Sequence, residues 1–364
     1  MEKLMEWRNY HIYYTNIDRL LLDCIGPFLR SLDGLLDLYF WERHFAGGPH
    51  VRVRLHGALA DLEIIAGEFS SLVENYLALF PADAISNYSS DDARQMMEME
   101  GETYEPGDLV YQVNVIRECP YHRLKSGFVG EAGLRLLHEF LHDSNALTET
   151  ILKHPAAKRD HLLRFYFLNA LFPHGDLVRG SVSFKSHWSG FAASLSNRAV
   201  IDRIKKSFDD QSDAIVTAML EVQEAYISGN LSGHPILRKW LVLLQRYDTR
   251  ARAVLRTGEQ IGSTLTPEQV RAYREYLEQH ALEQNDFMRV LLEDDRFVAA
   301  FRDRGALAQP RILTNLLYKI IPALGLTALD KMALCYFAYN AVETHFQCDL
   351  TDVLRHNIAT TLNI

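Results

Sequence analysis

Apolar and polar residues are arranged in two different ways along the chain, and the change falls near residue 128. Before it, four segments have the composition or the alternation typical of β-strands: "YHIYY" (10–14), "LLDLYFWERHF" (35–45), "PHVRVRL" (49–55) and "LVYQVNVI" (109–116). Two further segments, 16–32 and 59–80, place apolar residues at helical spacing. This order of elements predicts helices that cover one face of a mainly antiparallel sheet.

After residue 128, strand-like alternation is nearly absent and a helical period dominates. It occurs in segments 131–143, 159–172, 184–195, 214–227, 236–247, 266–292 and 312–326. The predicted fold class is therefore α+β. We expect a mainly antiparallel sheet with covering helices over residues 1–127, followed by a mostly helical second half over residues 128–364.

Three short segments mark the ends of helices in the second half. "LTPEQV" (265–270) predicts a helix that begins with Thr266 as its cap and Pro267 at the first helical position. "ISGNLSGHP" (227–235) and "GALAQP" (305–310) are predicted to be loops, because turn-forming residues are concentrated there.

The composition excludes several classes of protein. The chain has 364 residues, of which 48% are hydrophobic and 23% charged, so it is long enough for a large core. A formal net charge of −9 argues against non-specific binding to nucleic acid, which needs a basic surface. Walker A, G-x-G-x-x-G, H-E-x-x-H and G-x-S-x-G motifs are all missing, so no motif implies a cofactor.

The cysteines and the termini bear on the cellular compartment. Four widely spaced cysteines (24, 119, 335 and 348) form no C-x-x-C pair and no metal-ligand pattern. We expect no disulfides and no structural zinc, as in a reducing compartment. The sequence contains neither a signal pattern nor an apolar run long enough for a membrane span, so a cytoplasmic location is expected.

The strongest candidate for chemistry is the basic strand within residues 47–57. His50, Arg52, Arg54 and His56 alternate with apolar residues, so a strand would place all four on one face, and we expect both arginines to face outward. The two guanidinium groups would lie roughly 7 Å apart along the strand, near enough to hold one carboxylate or phosphate. The alternative is a solvated outer face that binds no ligand.

The junction between the two halves gathers several polar side chains. "CPYHRLKSGF" (119–128) contains Tyr121, His122, Arg123 and Lys125. A phenol, an imidazole and two cations in one loop would suit proton transfer and stabilisation of an oxyanion. An ordinary surface connection has a similar composition.

The helical half offers two further groups of candidates. In "SVSFKSHWSGF" (181–191), Ser186, His187 and Trp188 lie at a predicted helix start, where Ser183 is a candidate N-cap. Packing in the core is the alternative role for His187. Within the apolar "NLLYKIIPALGL", Asn315 and Tyr318 are polar groups that need partners if they are buried.

Taken in order, these segments resemble a known family. They are "YHIYYTN", "GGPHVRVRL", "YHRLKSGFVGEAGLRLLHEFLHDSN", "SFKSHWSGF" and "NLLYKIIPALGLTALDKMALCYFAYNAVE". Together they are similar to the stand-alone form of the C-terminal domain of lantibiotic dehydratases, which includes thiopeptide-type bacteriocin biosynthesis proteins. The resemblance runs over nearly the whole chain, but only "GGPHVRVRL" is specific by itself.

The resemblance implies maturation of a ribosomally made peptide. In one branch of the family, the domain eliminates glutamate from glutamylated Ser or Thr. In another, related proteins close a pyridine ring from two dehydroalanines by a formal [4+2] cycloaddition and expel the leader peptide. Arg52 and Arg54 match the arginines that hold the glutamyl carboxylate. The implied partners are a leader-bearing precursor peptide and other maturation enzymes, and the resemblance makes a homodimer a reasonable expectation.

The sequence departs from the elimination branch at two places. Gly127 stands where that branch has an arginine, and "TNLLYKII" lacks its C-terminal histidine. We therefore expect a divergent lyase or a pyridine-forming cyclase, with glutamate elimination or a non-catalytic peptide-binding partner as alternatives. The candidate catalytic residues are Arg52, Arg54, Tyr121, His122 and His187, and the candidate substrate-binding residues are His50, Arg123, Lys125, Ser186, Trp188, Asn315 and Tyr318.

Overall fold

The computed structural model describes residues 4–45, 47–85, 89–91, 94, 110–121, 128–195, 197–259, 261, 267–279, 286–298 and 305–362. The chain divides into two compact units. The first unit consists of residues 1–155 together with 322–325, and the second of residues 156–321 together with 326–364. The sequence boundary at residue 128 marks where helices replace strands, whereas this division reflects packing.

The first unit is built on a four-stranded sheet. Its elements are β1 (Met5–Tyr13), α1 (Ile17–Leu20), a π-helical segment (Leu21–Ile25), α2 (Gly26–Ser31), β2 (Leu38–His44), β3 (His50–Ala58), α3 (Leu59–Leu79), β4 (Val115–Cys119) and α4 (Gly130–Leu152). The strand order is β2-β3-β1-β4, and every neighbouring pair is antiparallel. The predicted antiparallel sheet is confirmed.

The turn between β2 and β3 depends on two glycines. Gly47 and Gly48 have φ values of 73° and 110°, in the left-handed region that glycine adopts at little cost. The Gly48 N–H donates to the carbonyl of Phe45 at 3.0 Å. The predicted hairpin is therefore present, and it fixes the register that brings β2 beside the arginine strand.

One face of the sheet packs against α3. Tyr10 and Ile12 of β1 lie on this side with Val51 and Val53 of β3, and all four are buried. The ring of Phe69 in α3 lies 5.0 Å from that of Tyr10 in an edge-on contact. This is the apolar half of the alternation seen in the sequence.

Helix α4 covers the outer edge of β2. The side-chain amide of Asn145 donates to the carbonyl of Tyr39 at 3.0 Å, and the ring of His142 lies 4.5 Å from that of Tyr39. An exposed strand edge invites pairing with other chains, so a covering helix protects the sheet. The contact also explains why α4 belongs to the first unit.

The prediction of a strand over 109–116 was wrong in position. Strand β4 begins only at Val115. Just before it, Asn114 has a φ of 56°, and its side-chain amide bonds to the N–H and the carbonyl of Ala82, both at 2.9 Å. Asparagine tolerates the left-handed region and bonds to nearby backbone, so the chain bends here despite its apolar alternation.

The second unit is helical, as predicted. Its helices in the described residues are α5 (Lys158–His174), α6 (Leu177–Ser194), α7 (Arg198–Asp209), α8 (Ser212–Ile227), α9 (Pro235–Arg256), α10 (Pro267–Gln279), α11 (Asp286–Glu293), α12 (Gly305–Ala323), α13 (Ala328–Phe346) and α14 (Leu350–Leu362), with a 3₁₀ turn at Pro155–Ala157 at the junction of the two units. The predicted start at Pro267 is confirmed, while Thr266 lies outside the described residues. Within the described part, none of the helices is both long and apolar enough to cross a membrane.

The prediction of a helix start in 181–191 was wrong. This segment lies inside α6, whose N-cap is Asp176; the Asp176 carboxylate accepts the Val178 N–H at 2.9 Å. Ser183 is therefore not a cap. Position 180 in this helix is occupied by glycine because α5 passes very close. A Cβ at this position would lie 2.1 Å from the Ala170 carbonyl oxygen.

The prediction of a loop at 305–310 was also wrong. These residues form the first turns of α12, which begins at Gly305. Ala308 and Gln309 are good helix formers, and the buried amide of Gln309 donates to the carboxylate of Asp248 in α9. Tertiary contact therefore overrides the turn signal of Pro310.

Candidate functional site

The register of the sheet brings a set of polar and aromatic side chains to the face opposite α3. In β3, Arg52 lies between His11 of β1 and Glu42 of β2, and Arg54 lies between Asn9 and Phe40. We call this surface the arginine face. It is formed by Trp7, Asn9, His11, Phe40, Glu42, His44, His50, Arg52 and Arg54.

The arginine face is not the outward, solvated surface expected from the sequence. Arg54 is only 3% exposed and His50 is fully buried, while Arg52 is half-buried. Alternation in a strand reveals which side chains share a face, but it does not reveal what covers them. Aromatic rings of other elements enclose part of this face, including Tyr121, which follows β4.

Arg54 combines a buried charge with an unused donor. Its guanidinium pairs with the carboxylate of Glu42 and lies 5.6 Å from the ring centre of Phe40 and 5.7 Å from that of Tyr121. Its Nε is buried and has no hydrogen-bond partner among the described residues. A buried N–H without an acceptor is costly, so an incoming oxygen atom would be bound favourably here.

Arg52 is bordered by imidazoles. Its Nη2 lies 3.1 Å from Nδ1 of His44, and its Nε donates to Nε2 of His50 at 3.4 Å. The Nδ1 of His50 donates to the Gly48 carbonyl at 3.0 Å, which leaves Nε2 as the acceptor. Burial, and then the nearby His44, His11 and Arg52, hold the pKa of His50 well below its usual value. His50 is therefore neutral and serves to orient Arg52.

Tyr121 joins this face from the end of β4. Its ring stacks on that of Trp7 at 4.8 Å, and its hydroxyl oxygen lies 3.1 Å from Nε2 of His138 in α4. Four of the predicted residues, His50, Arg52, Arg54 and Tyr121, thus lie in one cluster in the first unit. The other junction candidates, His122, Arg123 and Lys125, lie outside the described residues, as does Gly127.

A second cluster lies within the helical unit, around His187. Nδ1 of His187 donates to the Ser183 carbonyl at 2.8 Å, and the imidazole lies 5.0 Å from the ring of Tyr318. Burial lowers the pKa of His187 to about 4, so the ring is neutral near pH 7 and Nε2 carries a lone pair. Such a nitrogen can accept a proton or a hydrogen bond.

Tyr318 connects His187 to two groups of α13. The hydroxyl of Tyr318 lies 3.4 Å from Sγ of Cys335, and Nζ of Lys331 lies 5.1 Å from the ring centre. Burial raises the pKa of Tyr318 well above its usual value, raises that of Cys335 to about 11, and lowers that of Lys331. The phenol and the thiol are therefore protonated, and Cys335 is no activated nucleophile.

The remaining candidates of the helical unit have different surroundings. Trp188 is buried, with its ring 4.7 Å from that of Tyr336 and 5.9 Å from that of Phe191, which is a core position. Ser186 and Asn315 are half-buried on α6 and α12.

Sequence reasoning missed several members of the arginine face and its surroundings. These are Asn9, His11, Glu42, His44 and His138. The first four carried a signal, because they alternate on β1 and β2 with the same period as the arginines on β3. Metal binding has no such support: across the described part of the chain, no three His, Cys, Asp or Glu side chains are grouped to hold an ion.

Comparison with known proteins identifies the family. The model of the family described as lantibiotic biosynthesis dehydratase C-term matches residues 7–342, and the chain belongs to this family. The resemblance found in the sequence is thereby confirmed. No curated protein sequence matches the chain.

Three solved structures are similar in fold. "Pyridine synthase, TbtD, from thiomuracin biosynthesis" has a TM-score of 0.71 at 20% identity, covering 94% of this chain and 99% of that one. TsrL has a TM-score of 0.69 at 16% identity, covering 97% and 98% of the two chains. The tRNA-dependent lantibiotic dehydratase MibB from Microbispora sp. 107891 has a TM-score of 0.51 at 12% identity, covering 94% of this chain and 28% of that one.

Proposed function

We propose that the protein is a maturation enzyme for a ribosomally made, post-translationally modified peptide, and that it closes a pyridine ring from two dehydroalanine residues. Its substrate is a leader-bearing precursor that other maturation enzymes have already dehydrated. Family membership supports the peptide substrate class. The likeness to a pyridine synthase over 99% of that chain favours ring closure.

The observation that carries the proposal is the buried Arg54 guanidinium, whose free Nε lies on the face that Tyr121 borders. In the formal cycloaddition, two carbon–carbon bonds form, and the ring then loses an amide oxygen as water and the leader as an amide. Negative charge develops on that amide oxygen, and a buried N–H donor stabilises such charge strongly. Tyr121 would transfer protons at the same face.

His187 is proposed as a second proton-transfer group, in the helical unit. Its imidazole is neutral and lies next to Tyr318, and its Nδ1 is bonded to the Ser183 carbonyl, so Nε2 carries the lone pair. Holding two dehydroalanines in contact supplies much of the rate through orientation, so few acid–base groups are needed. A homodimer and a cytoplasmic location stay predictions, and sedimentation of the purified protein would test the former.

Intact mass spectrometry of two incubations tests the reaction. One contains a leader-bearing peptide with two dehydroalanines, and the other a glutamylated Ser peptide. We expect release of the leader in the first and no change in the second. Loss of glutamate from the second would instead support elimination, and no change in either would favour the non-catalytic role.

A pair of charge-neutral double variants tests the arginine face. Glu42→Gln with Arg54→Gln removes both partners of the buried pair at unchanged net charge, and we expect a loss of leader release of about 100-fold or more. The matched control is Arg8→Gln with Glu118→Gln, which removes an ion pair on the opposite face of the same sheet. Equal activity of the two double variants would contradict the proposed role of Arg54.

A further inference from the structure

We infer that His138 is a positioning residue for Tyr121, and that the two side chains form a proton relay beside Arg54. The inference rests on the proposed function and adds the residue that accepts the proton. Nothing in the sequence motifs pointed to His138, which lies on α4, outside the sheet.

The first step of the argument is the geometry of the pair. The Tyr121 hydroxyl oxygen and Nε2 of His138 are 3.1 Å apart, a hydrogen-bond distance. The Tyr121 ring lies flat on Trp7 with an interplanar angle of 10°. The His138 ring stacks on Phe40 at 5.4 Å and meets Trp7 edge-on at 5.0 Å. Both rings are therefore fixed by packing, as an acid–base pair requires.

The second step is the position of His138 on its helix. His138 is buried within the apolar stripe of α4, beside Leu134, Leu137 and Leu141. A buried polar group is costly unless it is hydrogen-bonded, so an apolar residue would be the ordinary choice here. Tyr121 is half-buried, so part of its side chain is accessible to a substrate.

The third step is the charge around the pair. Among the described residues, the charged and titratable groups near it include Arg54 and Glu42, which form an ion pair. They also include His56, whose ring lies 4.6 Å from Trp7 and whose Nδ1 lies 2.9 Å from a carboxylate oxygen of Asp37. The positive Arg54 is 5.7 Å from the Tyr121 ring and would stabilise a phenolate oxygen.

These features fit the removal of one amide proton. The nitrogen of a pyridine carries no hydrogen, so the N–H bond of the amide that enters the ring must break. Tyr121 takes this proton on its oxygen as its own proton passes to Nε2 of His138, and Arg54 stabilises the resulting negative amide oxygen. After ring closure the imidazolium returns the proton through Tyr121 to that oxygen. The net change is one N–H bond exchanged for one O–H bond.

A spectroscopic experiment on the full chain tests the pair without any substrate. The imidazole signals are followed by NMR against pH in wild type and in Tyr121→Phe, and His138→Phe assigns the His138 signal by its loss. We expect the His138 titration midpoint to move by about half a pH unit or more in Tyr121→Phe. An unmoved midpoint would overturn the inference, whatever the enzyme does.

Leader release then tests the relay itself. His138→Phe keeps an aromatic ring in the stack but cannot bond to Tyr121. We expect it to lower the rate by about 100-fold, and Tyr121→Phe to do the same. The double variant should be no slower than either single variant, because the two act as one unit. His138→Gln keeps a bonding group but cannot take a proton, so it should fold normally and lose the acidic limb of the pH profile.

The control is His142→Phe, one turn further along α4, where the ring contacts Tyr39 instead. We expect it to retain wild-type release. Wild-type rates and pH profile in His138→Phe would overturn the relay. A third outcome separates the two proposals. If neither the wild type nor any variant releases a leader, but the NMR midpoint of His138 moves in Tyr121→Phe, then the proposed reaction is wrong and the His138–Tyr121 hydrogen bond is supported.

Discussion

At the scale of single residues, the surroundings of a charged side chain determine what it can do. Arg54 and Arg52 are two residues apart on one strand, yet the first is held by a carboxylate and aromatic rings and the second borders imidazoles. The carboxylate of Glu42 offsets the charge of Arg54, and the neutral imidazole of His50 orients Arg52. The two arginines are thus suited to different tasks, and we expect their replacement to affect the reaction unequally.

His187 predicts a pH dependence of stability. Its pKa in the folded protein is about 4, below the value of an unfolded histidine. Between these two values the unfolded chain binds the extra proton more readily, so the free energy of unfolding should fall as the pH drops from about 6.5 to 4. Above that window the stability contribution is complete.

Urea unfolding at pH 7 and pH 5 measures this effect. In His187→Phe, the loss of stability between the two pH values should be smaller than in wild type. His356→Phe, at an exposed position on α14, serves as the control for the histidine-to-phenylalanine change itself and should alter this loss less than His187→Phe does. An identical loss in His187→Phe and wild type would contradict the assignment.

At the scale of elements, close helix packing accounts for features that the sequence pattern does not explain. Gly180 lies at the end of the first turn of α6, and glycine is required there because α5 leaves no room for a Cβ. Gly180 is therefore a contact point between two helices.

Two glycine substitutions separate packing from helix propensity. Gly180→Ala should destabilise the protein by about 1–3 kcal/mol, because a Cβ would overlap the Ala170 backbone. Gly67→Ala, at an exposed position of α3 with no atom within 4 Å of the added Cβ, should stabilise it by about 0.5–1 kcal/mol. Denaturant midpoints of the two variants would move in opposite directions if this account is correct.

The sequence predicted the elements better than their ends and surroundings. Strands β1 to β3 and the helical second half follow from alternation and helical period, which are local properties. Asn114 and Gln309 show why ends were misplaced, because contacts with Ala82 and Asp248, distant in sequence, decided them. The burial of Arg54 and the role of His138 required knowing which element lies over the arginine face, which no local pattern contains.

At the scale of the whole molecule, the first of the two units is built from two separate stretches of the chain. Residues 322–325, which are the last two residues of α12 and the two that follow it, belong to the first unit. There Nε of Arg43 donates to the Ala323 carbonyl at 3.1 Å, while Nη2 of Arg43 pairs with the carboxylate of Asp18. The sheet unit is therefore completed by a segment from far along the sequence.

Gly325 tests how much this segment contributes. It has a φ of 76°, and a Cβ would lie 2.8 Å from Nη1 of Arg43. Gly258 has a φ of 81° with open space around it, so it provides the matched control. Each substitution by alanine should cost about 1 kcal/mol through backbone strain alone. We expect Gly325→Ala to cost more and to increase amide hydrogen exchange in β2, whereas Gly258→Ala should leave β2 unchanged.

Residues 322–325 also affect the order in which the protein can fold during synthesis. A ribosome that has finished Pro155 must add about 170 more residues before residues 322–325 emerge, which at about 5–20 residues per second takes on the order of ten to thirty seconds. During that interval Arg43 has no carbonyl from Ala323 to bind. The first unit therefore lacks its last segment, residues 322–325, while most of the helical unit is still being synthesised.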